Sequence, residues 1–103
     1  MGKLVRDRIP EIIEAAGRVA RIRVLDRDEY RRALLDKLVE EARELREAQN
    51  YDERLGELAD VHEVFTAVLS ACGITTDEVA AAAAGKRAER GGFDRRIWLD
   101  QLR

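Results

Sequence analysis

Apolar residues recur at helical spacing through most of the chain. Leu34, Leu35, Leu38, Ala42 and Leu45 share one side of a helix at about 100° per residue, and Leu55, Leu58, Val61, His62, Phe65, Leu69 and Cys72 share one side of another. Each stripe follows a start signal: Asp26 with Glu29, then Asn50 with Glu53. A third signal, Thr75 with Glu78, precedes an alanine-rich run. An N-cap residue followed three positions on by glutamate can close a capping box. The pattern predicts helices over 27–48, 51–72 and 76–89, with Gly73 and then Gly91-Gly92 as stops.

The rest of the pattern is weaker. Pro10 suits the first turn of a short helix, with Asp7 as its cap and Gly17 as its stop. Residues 19–25, VARIRVL, alternate partly and are rich in β-branched side chains, so an extended segment or short strand is expected there. The tail, with Phe93, Ile97, Trp98 and Leu102, is expected to pack back as a short helical turn. Two long helices joined by a short turn run antiparallel. The predicted fold is therefore an all-α helical bundle, and 103 residues suit one domain, 1–103.

Composition agrees and adds one demand. The chain is 46% hydrophobic and 39% charged with a single proline, which favours helices with narrow apolar faces. Such faces point to a dimer that completes the core. The net charge of −2 gives no global footprint for a nucleic-acid polymer. Cys72 is alone, which excludes an internal disulfide and fits a reducing cytosol. The opening MGKLVRDRIPEII has only short apolar runs broken by charge, so neither a signal peptide nor a membrane span is expected.

Charge is segregated along the chain. Residues 40–60 carry eight carboxylates against three arginines, whereas Lys86–Arg96 carries five basic groups against two acidic ones. On helices, Glu41 and Glu44 are surface neighbours, as are Glu57 and Asp60. Glu41 lies about 60° from Leu38 and Glu44 about 120°; Glu57 lies about 100° from Leu58 and Asp60 about 160°, to the same side. Neither pair is expected at the core centre, and Asp60 looks solvated in an isolated hairpin. Helices packed about 8–10 Å apart can still bring all four carboxylates towards one point. A hard divalent cation relieves the resulting repulsion, and oxygen-only ligands suit Mg²⁺ or Mn²⁺. The plain alternative is a solvated acidic face, the usual meaning of a lone E-x-x-E.

These residues carry a family resemblance. Glu40-Glu41-x-x-Glu44, then Glu57-x-x-Asp60, is similar to the E-E-x-x-E…E-x-x-D signature of the all-α nucleoside triphosphate pyrophosphohydrolases, a superfamily that includes MazG-like enzymes, dimeric dUTPases and phosphoribosyl-ATP pyrophosphohydrolase. KLVRDRIPEII at 3–13 and KRAERGGFDRRIWL at 86–99 resemble the ends of small MazG-like proteins. The resemblance implies Mg²⁺-dependent hydrolysis of a nucleoside triphosphate to the monophosphate and pyrophosphate, in the cytoplasm, by a homodimer or higher homo-oligomer. It implies Glu41, Glu44, Glu57 and Asp60 as metal ligands and Glu40 as the residue that orders a metal-bound water. Lys3, Arg6, Lys86, Arg87 and Arg90 are available for the triphosphate, and the resemblance favours Lys86 and Arg90.

Two rivals stand beside this reading. Phosphoribosyl-ATP hydrolysis shares the acidic motif, although His62 stands two residues after Asp60 rather than at the Asp-x-x-x-His spacing expected there. A non-catalytic helical dimerisation module needs only the charged face. Of the remaining candidates, His62 on the apolar stripe is expected to be a packed core histidine. Cys72 sits at a helix C-terminus, the wrong end to activate a thiolate. Phe93 and Trp98 are expected to be anchors rather than base-stacking groups.

Overall fold

The computed structural model describes residues 2–103, and among them the chain is all-α, as the periodicity predicts. The helices are α1 (Ile9–Ala15), α2 (Arg27–Glu47), α3 (Tyr51–Ala71) and α4 (Thr76–Arg90), and no described residue lies in a strand. The chain divides into two compact units, one reaching to Gly73 and one of Ile74–Arg103.

In the first unit, α2 and α3 are 21 residues each and fold back on one another through residues 48–50. Asp26 starts α2 with a full capping box: its Oδ1 accepts the Glu29 N–H at 2.9 Å, and Glu29 Oε1 accepts the Asp26 N–H at 3.4 Å. Asn50 starts α3 by accepting the Glu53 N–H at 2.9 Å. Glu53 in turn accepts the Gln49 N–H at 3.0 Å, one residue beyond the box position, and so ties the connection to the helix it opens.

The seam between these helices only half follows the predicted stripes. Leu34 is buried, 3% exposed, and Leu38 and Leu45 are half-buried, but Leu35 and Ala42 turn outward. On α3 the expected stripe is largely solvent-facing: Leu55, Leu58, His62, Phe65 and Cys72 are exposed, and only Leu69, near the helix end, is buried. Besides Leu69, the covered positions are Glu57, Asp60, Val61, Val64, Ala67, Val68 and Ala71, about 100° around the helix on its acidic side. Val61, the half-buried member of the predicted stripe, forms with Val64 and Val68 a second apolar row at helical spacing, which Glu57 and Asp60 precede. The predicted stripe takes in Val61 but not Val64 or Val68, and periodicity alone does not say which row meets α2. His62 is consequently a surface residue, not the packed core histidine expected.

Pro10 lies in the first turn of α1, as predicted, and Gly17 takes the left-handed φ of +81° just past its end. The N-cap is Arg8, not Asp7, and no side chain bonds the helix start. With Ile9 as the first helical residue, Asp7 stands one position too far upstream to cap. Residues 18–26 form neither helix nor strand; a lone alternating segment finds no neighbour with which to pair its backbone.

In the second unit, Thr75 and Glu78 close a full capping box with bonds of 3.1 and 2.9 Å. Gly91, at a φ of +82°, ends α4. The tail makes a single turn, the Arg96 N–H donating to the Phe93 carbonyl at 3.0 Å, but it is not helical. Phe93, Ile97, Trp98 and Leu102 are all exposed rather than packed back. Arg95, Arg96 and Asp100 interleave with these side chains and leave no continuous apolar face. Among the described residues, no single helix is long and apolar enough to cross a membrane.

Candidate metal centre

The rotation of α3 places the acidic motif inside the hairpin. Glu41 lies on the α2 seam between Leu38 and Leu45 and is only 5% exposed. Glu57 and Asp60 are half-buried. One carboxylate oxygen each from Glu41, Glu57 and Asp60 lie within 4.8 Å of one another, so two helices supply one cluster. A second triad of Glu40, Glu41 and Glu44 meets the same distance limit along α2, with Glu41 common to both. The expectation that no carboxylate sits near the core centre is therefore corrected for Glu41, and Asp60 is less solvated than an isolated hairpin suggested. Glu44 is exposed at the edge of the cluster.

The electrostatic cost is visible in the protonation equilibria. Burial, and after it the charge of Glu44, pushes the Glu41 carboxyl up from 4.5 to about 7; Asp60 adds to the shift and Lys37 opposes it. Glu57 is also raised, by burial first and then by Glu44 and Asp60. Among the described residues, two buried side-chain oxygens lack any hydrogen-bond partner, Glu41 Oε2 and Glu57 Oε2. Buried polar atoms are almost always paired, so two orphans in one acidic cluster are positions that a proton or a cation would satisfy.

Three cationic side chains approach the cluster in part. Arg6 Nη2 donates to Asp60 Oδ1 at 2.7 Å and forms an ion pair across 54 positions of sequence. Lys37 Nζ lies 3.5 Å from Glu40 Oε2 and 3.7 Å from Glu41 Oε1. Lys3 borders a shallow cleft that also takes in Lys37 and Glu40. Sequence reasoning passed over Lys37, although a lysine three and four residues before two glutamates on a helix is a recognisable signal. The contact between Arg6 and Asp60 has no such local signal. Lys86 and Arg90 lie four apart and exposed on α4, in the other unit. Beside them Arg87 pairs with Asp94 at 3.6 Å, and its guanidinium lies so close to Gly92 that a Cβ there would meet it at 2.8 Å.

The donor set is all carboxylate oxygen and therefore hard. Together with the two orphaned oxygens it fits Mg²⁺ or Mn²⁺, with Glu41, Glu57 and Asp60 as the cross-helix ligands and Glu44 within reach at the edge.

Comparison with known proteins is narrow. A stretch of 55 residues is 56% identical to an uncharacterized protein of Mycolicibacterium smegmatis, and covers 53% of this chain and 56% of that protein. The match thus spans about half the length of that curated relative. No family model matches the chain. No solved structure matches it either.

Proposed function

We propose that the protein is a MazG-like pyrophosphohydrolase that splits a nucleoside triphosphate into the monophosphate and pyrophosphate and clears unwanted nucleotides in the cytoplasm. The observation that carries this reading is the cluster of Glu41, Glu57 and Asp60, drawn from two helices, with two buried oxygens left unpartnered. The resemblance at 3–13, 40–60 and 86–99 supplies the reaction class. In this reading Glu41, Glu44, Glu57 and Asp60 hold Mg²⁺, or Mn²⁺ in its place. The bound ion supplies Lewis acidity and lowers the pKa of water near it. Glu40, half-buried and next to Lys37, orients the attacking water and takes its proton. Lys3 and Arg6 neutralise phosphate oxygens from the N-terminal side; Lys86 and Arg90 come to this role from the resemblance alone.

The outward face of α3 supports a homodimer or higher homo-oligomer. Tyr51, Leu55, Leu58, His62 and Phe65 alternate at spacings of four and three, the repeat of a helix-packing seam, and all are exposed. A second copy of the hairpin laid on this face completes a four-helix core.

The test is a screen of nucleoside triphosphates and of phosphoribosyl-ATP with Mg²⁺, reading pyrophosphate and the matching monophosphate. Release of both from a nucleoside triphosphate is expected. Turnover of phosphoribosyl-ATP alone would move the protein to histidine synthesis. The same exposed seam favours the second reading, a non-catalytic dimerisation module. Such a module shows no rise in Tm on adding Mg²⁺, whereas selective binding to the native state raises it.

A further inference from the structure

The ion pair of Arg6 with Asp60 has a consequence for the proposed cation site, and the inference rests on that reading. Asp60 is one of three residues whose oxygens come within 4.8 Å across the helices, and its Oδ1 already accepts a bond from Arg6 at 2.7 Å. The cluster itself points to a ligand beyond its charge. Glu41 is more than nine-tenths buried, stands within that triad, and has an oxygen with no partner. Arg6 offsets part of the repulsion but reaches only Asp60 by hydrogen bond; the orphaned oxygens belong to Glu41 and Glu57.

We propose that Arg6 is a built-in, displaceable counter-ion: it holds Asp60 while the site is free of metal, gives it up when a divalent cation binds, and is thereby released to meet a substrate phosphate. Three features make the exchange inexpensive. The Arg6 side chain is 57% exposed and that of Asp60 41%, so the pair is worth little on its own and is readily replaced by water. Arg6 sits ahead of α1, where its backbone is held by one turn bond, its carbonyl accepting the Ile9 N–H at 3.1 Å, rather than by a helix. A divalent ion also reaches Glu41 and Glu57, which the guanidinium leaves unpaired. A fixed positive charge beside a cation site opposes binding by simple Coulomb repulsion, so the device lowers metal affinity in return for an ordered N-terminal segment. The freed guanidinium has the planar fork that pairs with phosphate, and metal occupancy thereby couples to an anion contact.

The experiment measures Mn²⁺ binding by electron paramagnetic resonance and Mg²⁺ binding by calorimetry, for the full chain and for Arg6→Gln and Arg6→Lys. Thermal melting of the metal-free proteins runs in parallel. Arg6→Gln is expected to bind the ion about three- to fivefold more tightly, the scale of one exposed ion pair removed, while its metal-free form melts lower. Arg6→Lys, which keeps the charge, is expected to stay near the wild type in ion affinity. Hydrogen exchange at Ile9, whose N–H donates to the Arg6 carbonyl at 3.1 Å, is expected to quicken when Mg²⁺ is added to the wild type and to be insensitive to it in Arg6→Gln. If the wild type binds Mn²⁺ and Arg6→Gln binds it equally or more weakly, the counter-ion role is overturned and the cation site stands. If neither chain binds Mn²⁺ or Mg²⁺, both fall.

Discussion

The two faces of α3 invert the usual arrangement. Its inward face carries Glu57 and Asp60 beside Val61, Val64, Val68 and Leu69, and its outward face carries Tyr51, Leu55, Leu58 and Phe65. Apolar burial is worth about 25 cal/mol per Å², so a chain folding alone gains more by turning the leucines in. The two proposals together would reverse that preference: a cation between the carboxylates would remove the penalty of the inward face, and a second copy of the chain would bury the outward one. On that reading the metal site and self-association depend on each other.

The sharpest way to break the comparison is to neutralise the inward face. Glu41→Gln and Asp60→Asn keep the shape of each side chain and remove a ligand charge. Each is expected to lower Mg²⁺-dependent pyrophosphate release at least about a hundredfold, since even residues behind a metal ligand cost about 10–100-fold when changed. Circular dichroism is expected to stay helical, with Tm of the metal-free form equal or higher for Glu41→Gln; in Asp60→Asn the relief of repulsion is offset by loss of the Arg6 ion pair, and Tm is expected to stay near that of the wild type. Full Mg²⁺-dependent turnover by either variant would remove that residue from the ligand set.

The complementary change charges the outward face. Leu58→Asp or Phe65→Glu is expected to weaken self-association by about 2 kcal/mol or more, roughly a thirtyfold rise in the dissociation constant, because large apolar anchors at the centre of an interface carry most of its energy. Sedimentation equilibrium reads this directly. An unchanged molar mass in both variants would leave the leucine row a simple surface feature and remove the reason for turning it outward.

A gentler probe is pH. Below about 4.5 Glu41 is protonated in both the folded and the unfolded chain. Between there and about 7 the folded protein keeps a proton that the unfolded chain has released, so the folded state binds more protons and stability falls as pH rises. Above about 7 the loss is complete. The metal-free protein is therefore expected to show, from this group, a Tm that declines from pH 5 to pH 7; the slope flattens in Glu41→Gln and is offset by Mg²⁺. A Tm slope unchanged by Glu41→Gln would remove the buried carboxylate as its cause.

How much of this was legible beforehand follows from which signals are local. The helix starts at Asp26, Asn50 and Thr75 were readable because a cap is a contact between residues three apart. The Glu41 and Glu57 cluster was readable in outline, because spacing and hairpin connectivity together bring those residues level. The phase of α3 was not. Val64 and Val68 offer a second apolar row that shares Val61 with the predicted one, and only contact with α2 decides between them. The pairing of Arg6 with Asp60 was equally hidden, since no pattern links residues 54 positions apart. Phe93 and Trp98 were misread as anchors because apolar character alone does not provide a surface to rest on.

The smallest expected effect concerns what sets that phase. Asn50 ends the connection and begins α3, and its cap bond to the Glu53 N–H, with Glu53 bound back to the Gln49 N–H, fixes the angle at which the helix leaves the turn. Asn50→Ala is expected to cost about 1 kcal/mol of stability, no more than the equivalent loss at Asp26→Ala. The two caps differ in what else they govern. Loosening the start of α2 frays a helix end far from the carboxylates, whereas loosening the start of α3 acts seven residues from Glu57 and lets the helix rotate. At matched loss of Tm, Asn50→Ala is therefore expected to weaken Mn²⁺ binding more than Asp26→Ala. Equal affinities in the two variants would mean that the packing of Val61, Val64 and Val68 against α2 holds the phase without help from the turn.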